Sequence, residues 1–310
     1  MAVTEDCITD ILDIVGEDAA LEHEYMKKHT TFRIGGEADL FVLPASETDL
    51  VRVLMYCRQH ALPYYVVGNG SNLLVSDEGY RGVIIQISRN LSGIRVYENR
   101  IEAQAGAMLS AVSRRALEES LTGMEGLSGI PGTLGGALTM NAGAFGYEMK
   151  DIVRSVRVLD QEGEIRTLSC GQMQFGYRTS IAQSQNLVIL SAVLELEEGQ
   201  KEQIAAVMED LKQRRQSKQP LELPSAGSTF KRPEGYYAGA LIDEAGLRGC
   251  REGGAQVSEK HCGFIVNTGG ATARDVRRLI ACVQQAVFDN SKVKLEPEVR
   301  MLGFEEDSSV

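Results

Sequence analysis

The chain has 310 residues, of which 43% are hydrophobic and 24% charged, a composition typical of a globular protein with one large or two to three smaller domains. Its net charge of −11 argues against general nucleic-acid binding, which needs a basic surface, but a few local cations are enough to hold a small anionic ligand. No apolar run is long enough to cross a membrane, and residues 1–10 lack a secretory pattern.

The helix and strand patterns alternate along most of the chain. Apolar periodicity predicts helices at 4–15, 46–60, 109–119, 200–216, 238–245 and 272–288, and strands at 38–44, 64–67, 82–87, 94–97, 101–105, 155–159, 164–167, 187–196 and 263–267. Segment 38–67 reads as a β-α-β unit, which implies a parallel pair of strands. The turn between 155–159 and 164–167 predicts a hairpin. The polar helix at 200–216, followed by two prolines, marks the clearest domain boundary.

Cysteine and histidine usage indicates neither a disulfide framework nor a metal site. The six cysteines form no C-x-x-C pair, and the four histidines share no metal-ligand spacing. This pattern is typical of free thiols in a reducing compartment. We therefore expect a cytoplasmic protein without bound metal, and the absence of a long apolar run predicts no membrane span. The sequence leaves the oligomeric state open, with a monomer as one reading.

A first glycine-rich stretch directly follows the strand at 64–67. It reads Gly68, Asn69, Gly70, Ser71, Asn72, Leu73 and Leu74. Glycine and asparagine tolerate positive φ, so this backbone can curl and direct its N–H groups at a ligand. A hairpin turn is the alternative, because Asn-Gly is a strong hairpin signal. Neither a G-x-G-x-x-G fingerprint opening a helix nor a phosphate loop of the G-x-x-x-x-G-K-[ST] type is present.

A second, denser stretch runs from 126 to 146 and contains glycines at 126, 129, 132, 135, 136, 143 and 146. Such density is costly, because glycine inside a helix or strand loses about 0.5–1 kcal/mol relative to alanine. A flexible linker is the alternative, but linkers are polar and Ser-rich, whereas this stretch includes Ile130, Leu134, Leu138 and Phe145. We expect a rigid loop that holds an anionic ligand with its backbone amides.

Six segments, in order, resemble one family, the UDP-N-acetylenolpyruvoylglucosamine reductases of bacterial wall synthesis. They are Thr31–Gly36, Gly68–Leu74, Gly129–Gly136 with Met140–Gly143, Tyr177–Arg178, Gly227–Ser228 with Phe230–Lys231, and Glu296–Arg300. The likeness spans about residues 24–303. One glycine loop would be weak evidence, whereas six segments in family order are strong.

The resemblance implies an α+β fold, an FAD-binding fold of the vanillyl-alcohol-oxidase type with a C-terminal α+β substrate domain. We expect an FAD-binding domain over 1–203, with subdomains at roughly 1–75 and 76–203. The substrate domain would cover 204–310, with a last strand at about 295–303 returning to the active site. FAD is the implied cofactor and NADPH the implied hydride donor, with a UDP-sugar as substrate.

The family motifs also imply site residues. The cofactor-binding positions would be Arg33, Gly68, Asn69, Gly70, Ser71, Asn72, Leu73, Gly129, Ile130, Pro131, Gly132, Thr133, Gly135, Gly136, Asn141, Ala142 and Gly143. The catalytic positions would be Ser228 as proton donor, Arg178 facing the substrate carboxylate, and Glu298 as an orienting residue or alternative acid. Taken alone, Ser228 reads better as a turn-capping hydroxyl and Arg178 as a surface arginine in a salt bridge, whereas Arg33 reads equally as a phosphate ligand or a surface arginine.

Substrate contacts are expected from Tyr177, Lys218, Lys231, Arg232 and His261, because an anionic UDP group needs cations. Taken one at a time, these charged side chains read better as merely solvated. Many relatives carry Asn at the position of Arg232, so this contact departs from the family pattern. The 50 positions between Arg178 and Ser228 leave no room for the Tyr-bearing loop of one family branch, so the chain resembles the shorter branch.

Hydride delivery to an enolpyruvyl group builds negative charge beside a carboxylate, and this chemistry needs cations and a proton donor. The reaction that the resemblance implies, the NADPH-dependent, FAD-mediated reduction of UDP-N-acetylglucosamine-enolpyruvate, agrees with these residue types. An FAD oxidase or dehydrogenase of the same fold is the alternative enzyme, but oxidation of an alcohol calls for a base. A non-catalytic flavin or nucleotide sensor would not need the polar trio of Arg178, Ser228 and Glu298.

Overall fold

The computed structural model describes residues 3–304, which form eight α-helices and eighteen β-strands. The helices are α1 Glu5–Val15, α2 Glu47–Gln59, α3 Leu109–Glu118, α4 Leu134–Thr139, α5 Ile181–Ser184, α6 Lys201–Lys218, α7 Ala238–Glu244 and α8 Ala273–Ser291. The strands are β1 Ala20–Tyr25, β2 Glu37–Val42, β3 Tyr64–Val67, β4 Leu73–Val75, β5 Tyr80–Gln86, β6 Ile94–Tyr97, β7 Arg100–Gln104, β8 Leu121–Thr122, β9 Gly143–Ala144, β10 Tyr147–Glu148, β11 Val153–Leu159, β12 Ile165–Ser169, β13 Val188–Glu195, β14 Glu197–Glu198, β15 Arg251–Glu252, β16 Ala255–Val257, β17 Ile265–Asn267 and β18 Arg300–Leu302.

The helix starts follow the local signals in the sequence. Ser46 caps α2 by accepting a hydrogen bond from the Asp49 amide at 3.1 Å. Thr272 and Asp275 form a reciprocal capping box at the start of α8, with both bonds at 3.0 Å. Such caps satisfy amide groups that have no partner inside the helix, so they fix where each helix begins.

The chain divides into two compact units. The first consists of the described residues up to Leu21, with Leu40–Asn69 and Gly82–Arg215. The second consists of Glu22–Asp39, Gly70–Arg81 and the described residues from Gln216 onward. Each unit has its own hydrophobic core. Compactness therefore groups two N-terminal segments with the C-terminal third of the chain, whereas the sequence led us to expect a division near residue 203.

The first unit is built around a five-stranded sheet in the order β12-β11-β13-β7-β6, whose neighbouring strands are all antiparallel. The hairpin expected between 155 and 167 is confirmed as β11 and β12, with Leu159 opposite Ile165. Two short strand pairs, β9 with β10 and β8 with β14, belong to the same unit. Helix α4 lies inside the second glycine-rich stretch, where we expected only a loop.

The β-α-β expectation was right in its elements and wrong in its pairing. Strands β2 and β3 belong to one sheet of order β1-β2-β5-β3, so β5 lies between them. The parallel pair is β3 with β5, from Tyr64 opposite Val83 to Val67 opposite Gln86. A crossover connection does not fix which strand becomes the neighbour, and here a later strand occupies the inner position.

The second unit contains the pairs that fix the C-terminal strand. Strand β18 pairs in parallel with β4, with Arg300 opposite Leu73, and β15, β16 and β17 form a small antiparallel sheet. Because β4 pairs with β18 while β3 pairs with β5, residues 68–72 do not close a hairpin between β3 and β4. The hairpin alternative for the first glycine-rich stretch is therefore wrong.

Residues 3–304 contain neither a membrane-spanning helix nor a metal-binding cluster. No helix in this range is long and apolar enough to cross a membrane. In the same range, no group of three or more His, Cys, Asp or Glu side chains is arranged to hold a metal ion.

Candidate active site

The two glycine-rich stretches, which are at least 52 positions apart in sequence, meet within the first unit, where residues 68–69 contact residues 131–133. The Asn69 side-chain amide donates to the Pro131 carbonyl oxygen at 2.6 Å. A Cβ added to Gly68 would collide with the Thr133 hydroxyl oxygen, so only glycine lets the two backbones approach this closely. The sequence predicted both loops, and the structure adds that they form one cluster.

This cluster also contains backbone N–H groups that donate to no acceptor in the described part of the chain. Among residues 3–304, no partner accepts a hydrogen bond from the backbone N–H groups of Asn69, Gly132 and Thr133. The carbonyl groups of Gly132 and Pro131 are occupied, because they accept from Leu109 and Asn69 respectively. Free N–H groups on closely spaced backbone form a site suited to an anion.

The first amides of α4 are not available to a ligand, although they follow directly on the free amides of Gly132 and Thr133. The Leu134 and Gly135 amides donate to the Ala107 and Ala105 carbonyls at 2.8 Å, and the Gly136 amide donates to the Thr133 hydroxyl oxygen. Three amides that would otherwise face a ligand are thus used internally. At Gly135 the reason for glycine is space, because an added Cβ would lie 3.0 Å from the Ala105 Cβ.

Arg178 contacts the second glycine-rich stretch near its C-terminal end, at Gly143. The Arg178 Nη2 donates to the Gly143 carbonyl at 3.2 Å, and the guanidinium carbon lies 5.3 Å from the centre of the Tyr177 ring. Arg178 adopts a φ of 56°, a left-handed conformation that is uncommon outside glycine and often occurs at functional sites. The predicted catalytic arginine is therefore joined to a predicted cofactor-binding residue.

A polar network supports this arginine. Asn141, which is 1% exposed, donates through its side chain to the Gly176 carbonyl at 3.0 Å and to Glu148 at 2.9 Å. Hydrogen bonds from Lys150 and Asn141, together with the nearby charge of Arg178, hold the pKa of Glu148 below its usual range. Glu148 is therefore a carboxylate at neutral pH. It anchors the turn that carries Arg178.

In the second unit, the first glycine-rich stretch continues against the loop that contains Arg33. The Thr31 amide donates to the Gly70 carbonyl at 3.2 Å, and an added Cβ at Gly70 would collide with the His29 carbonyl oxygen. Arg33 is exposed and has a φ of 55°. The amides of Gly70 and Ser71 also donate to no acceptor in residues 3–304.

Ser228 and Glu298 lie at the same end of a short antiparallel pairing between residues 229–231 and 296–298. The Glu298 amide donates to the Thr229 carbonyl at 2.8 Å, and the Lys231 amide donates to the Glu296 carbonyl at 2.9 Å. Phe230 and Pro297 therefore face each other as a non-hydrogen-bonded pair. Proline is tolerated in this position because its missing N–H is not needed.

Asn72 ties this strand pairing to the first glycine-rich stretch. Its side-chain amide donates to the Glu298 carbonyl at 3.1 Å, and its own carbonyl accepts from the Arg300 amide at 3.0 Å. The side chain of a predicted cofactor-binding residue is thus bonded to the backbone of a predicted catalytic residue. The adjacent Leu73 is buried in β4.

Lysine 231 does not contact Ser228 in this structure. Its ammonium group forms an ion pair with the Glu296 carboxylate. The Ser228 hydroxyl makes no hydrogen bond to any residue in the described part of the chain. This serine is therefore not a turn-capping residue, the alternative that its isolated sequence context suggested.

The remaining substrate candidates differ in their surroundings. Arg232 is stacked on Tyr237, with its guanidinium carbon 4.0 Å from the ring centre, and its Nε donates to the Tyr236 carbonyl. Lys218 is exposed at the end of α6. The pKa of His261 is lowered by burial, and its Nδ1 accepts from the Gly263 amide at 3.1 Å. His261 is therefore neutral at pH 7 and does not supply the cation that we expected there.

Two features of the site were missed in the sequence. Tyr236 and Tyr237 are 49% and 64% exposed, beside Arg232. Arg215 donates to the Gly129 carbonyl at 2.6 Å from 86 positions away. The sequence shows two adjacent tyrosines close to Arg232, which could have indicated a binding surface. No local sequence pattern predicts the contact of Arg215 with Gly129.

The arrangement fits an anionic dinucleotide such as FAD. The Asn69, Gly132 and Thr133 amides are available to phosphate oxygens, and glycine keeps their surroundings free of side chains. In the same unit, the partly buried Arg178 adds positive charge to a chain that is acidic overall.

Two sequence models of known domains match this chain. Residues 38–169 match an FAD binding domain, and residues 219–302 match the C-terminal domain of UDP-N-acetylenolpyruvoylglucosamine reductase. These matches confirm the expected fold class, an α+β flavin-binding fold followed by a C-terminal substrate domain.

Curated relatives and a solved structure agree with these matches. The chain is 50% identical to the UDP-N-acetylenolpyruvoylglucosamine reductase of Clostridioides difficile over 96% of its own length and 98% of that protein. It is also 50% identical to the protein of the same name from Caldanaerobacter subterraneus over 97% and 99% of the two lengths. The crystal structure of the reductase from Thermus caldophilus superposes with a TM-score of 0.78 at 35% identity, covering 91% of this chain and 98% of that one. The chain therefore belongs to the UDP-N-acetylenolpyruvoylglucosamine reductase family, as an oxidoreductase with an FAD-binding domain.

Proposed function

We propose that this enzyme reduces the enolpyruvyl group of UDP-N-acetylglucosamine-enolpyruvate to the lactyl ether of UDP-N-acetylmuramate, a step of peptidoglycan precursor synthesis. NADPH supplies the hydride and solvent supplies the balancing proton, so that one NADPH is oxidised for each double bond reduced. When bound, FAD accepts the hydride from NADPH and delivers it to the methylene carbon of the substrate.

The cofactor is held mainly by backbone. We assign the free amides of Asn69, Gly132 and Thr133 to the diphosphate of FAD, because no other acceptor in the described chain uses them. Gly70 and Ser71 offer further free amides, and Arg33 an exposed guanidinium. Hydrogen bonds to charged acceptors are stronger than those between neutral groups, so a few such contacts are enough to fix the diphosphate.

Three side chains carry the chemistry of the substrate. Arg178 binds the carboxylate next to the reacting carbon, and its planar fork suits bidentate contact with the enolate-like intermediate. Ser228 protonates that carbon, and its hydroxyl has no competing partner among residues 3–304. Glu298, held through its backbone by Thr229 and Asn72, orients the intermediate.

Substrate binding is assigned to Tyr177, Lys218, Lys231, Arg232 and His261. The Arg232 side chain, stacked on Tyr237, presents both a charge and an aromatic face, which suits a nucleotide. His261 acts as a neutral hydrogen-bonding group, because burial lowers its pKa. We assign 1–203 to cofactor binding and 204–310 to substrate binding, with the last strand of the chain returning to the active site. We place the enzyme in the cytosol as a monomer.

The observation that carries the proposal is the bond from Asn72 to the Glu298 carbonyl, which fixes a catalytic strand to a cofactor loop. The test is a steady-state assay of NADPH oxidation by the purified yellow protein under anaerobic conditions. We expect oxidation to require UDP-N-acetylglucosamine-enolpyruvate, with one NADPH consumed per substrate. A rate of NADPH oxidation that does not depend on this compound but requires dioxygen would instead indicate a flavin oxidase.

A further inference from the structure

Arg215 lies near the end of α6 and contacts the second glycine-rich stretch at two points. Its Nη1 donates to the Gly129 carbonyl oxygen at 2.6 Å. Its guanidinium carbon lies 5.7 Å from the centre of the Phe145 ring. One side chain therefore holds both the beginning and the end of the stretch between 129 and 145.

The charge of this arginine has no carboxylate partner among the described residues. Arg215 is partly buried, and burial lowers the pKa of its guanidinium. No acidic side chain within residues 3–304 forms an ion pair with it, whereas Arg115 pairs with both Glu118 and Glu119. A partly buried charge without a counterion is costly, and a bound anion would relieve that cost.

The glycine at 129 makes room for this contact. A Cβ added there would lie 2.8 Å from the Arg215 Nε, closer than side-chain carbons come to such atoms. The φ of Gly129 is outside the left-handed region, so the backbone itself does not require glycine. The residue is small because the guanidinium group occupies the adjacent space.

The contact also determines which backbone groups of the stretch stay free. The Gly129 and Pro131 carbonyls are occupied by Arg215 and Asn69, and the Ile130 amide donates to the Leu127 carbonyl. The next two amides, those of Gly132 and Thr133, remain without an acceptor in the described chain. Holding the carbonyls fixes the peptide planes, and therefore the direction of the free N–H groups.

We propose that Arg215 is a positioning residue of the cofactor site, which locks the 129–145 stretch and offsets the charge of an anionic dinucleotide bound to its amides. The inference rests on the assignment of the FAD diphosphate to this stretch under "Proposed function". Arg215 lies outside the glycine-rich motifs and would act on the cofactor site through its contacts with Gly129 and Phe145.

The test measures FAD affinity of the full-length apoprotein by quenching of flavin fluorescence, for Arg215→Gln, Arg215→Lys, Gly129→Ala and Arg215→Gln combined with Gly129→Ala. Loss of a charge-assisted bond should raise the Kd for FAD about tenfold to a hundredfold in Arg215→Gln. Gly129→Ala should reproduce this loss, because it displaces the guanidinium. The double variant should be no weaker than the stronger single variant, since both remove one interaction.

Arg215→Lys keeps the charge but loses the planar fork, so it should fall between wild type and Arg215→Gln. Higher salt should weaken FAD binding more in wild type than in Arg215→Gln, a difference that a merely structural role would not produce. Arg115→Gln is the matched control, because its surface ion pairs contribute little, and its Kd should equal that of wild type.

The inference is overturned if Arg215→Gln, or Gly129→Ala where that protein does not fold, binds FAD within about twofold of wild type. It is also overturned if these variants lower only the melting temperature of the apoprotein and leave the Kd unchanged. Failure of the wild-type apoprotein to take up FAD would instead reject the proposed function, so the two failures are distinguishable.

Discussion

The second glycine-rich stretch and the strand pairing that holds Ser228 and Glu298 are built on opposite principles. In the stretch, backbone amides are the functional groups, and side chains are kept small so that other atoms can approach Gly129 and Gly135, as they also approach Gly68 of the first stretch. In the strand pairing two backbone bonds, Lys231 to Glu296 and Glu298 to Thr229, hold the segments together, and we assign the function to side chains. The first region should therefore be damaged by adding atoms, and the second by removing them.

Removal of the Ser228 hydroxyl is expected to have the largest effect. Ser228→Ala should slow the reoxidation of reduced flavin by the enolpyruvyl substrate about 10²- to 10⁴-fold, the range for losing a positioned proton donor. Reduction of the flavin by NADPH should keep its wild-type rate, because it needs no proton from Ser228. Stopped-flow absorbance of the two half-reactions measures both rates.

The control for this variant is Ser291→Ala, because the Ser291 hydroxyl bonds only the local backbone at the end of α8. Both of its half-reactions should be unchanged. Equal slowing of both half-reactions in Ser228→Ala would contradict a role in protonation and assign Ser228 to folding or binding.

Addition of one methyl group at Gly68 is expected to have the next largest effect. The new Cβ would collide with the Thr133 hydroxyl oxygen, and forced overpacking typically costs about 1–3 kcal/mol. We expect Gly68→Ala to unfold at lower denaturant concentration and to retain less FAD on purification. Gly171→Ala is its control, because an added Cβ there meets no atom within 4 Å. Equal denaturation midpoints for the two variants would show that the stretches are not in close contact.

The smallest effect concerns His261 and pH. Burial lowers its pKa in the folded protein, so the unfolded chain binds the proton more readily below about pH 6.5. The free energy of unfolding should therefore fall as the pH is lowered from 7 towards 5. Protonation of Nδ1 in the folded protein would also remove the bond that it accepts from the Gly263 amide. His261→Gln should show a shallower fall in urea titrations at these pH values. An unchanged slope would contradict a neutral, buried imidazole.

Local signals were enough to predict most elements and to find both glycine-rich stretches. The caps at Ser46 and Thr272 fix their helices because the capping groups are three positions from the amides they satisfy. The hairpin of β11 and β12 is likewise a short-range structure. Such features depend on neighbours in sequence, so they can be derived from the chain alone.

Features set by distant residues could not be derived. Helix α4 was missed because its sequence, Leu-Gly-Gly-Ala-Leu-Thr, has poor helix propensity, and burial of Leu134 and Leu138 stabilises it instead. The insertion of β5 between β2 and β3 and the contact from Arg215 to Gly129 depend on tertiary packing. The catalytic candidates were placed by family motifs, and the structure adds the Asn72 bond that connects Glu298 with the cofactor loop.

The most direct test of the account is amide hydrogen exchange, measured by mass spectrometry on the apoprotein and on the FAD-bound protein. If backbone amides of the two glycine-rich stretches hold the cofactor, peptides covering Asn69 and Gly132–Thr133 should become strongly protected when FAD binds. Peptides covering Ser228 should change little until substrate is added. Flavin bound at full occupancy with unchanged exchange at Asn69, Gly132 and Thr133 would contradict the account.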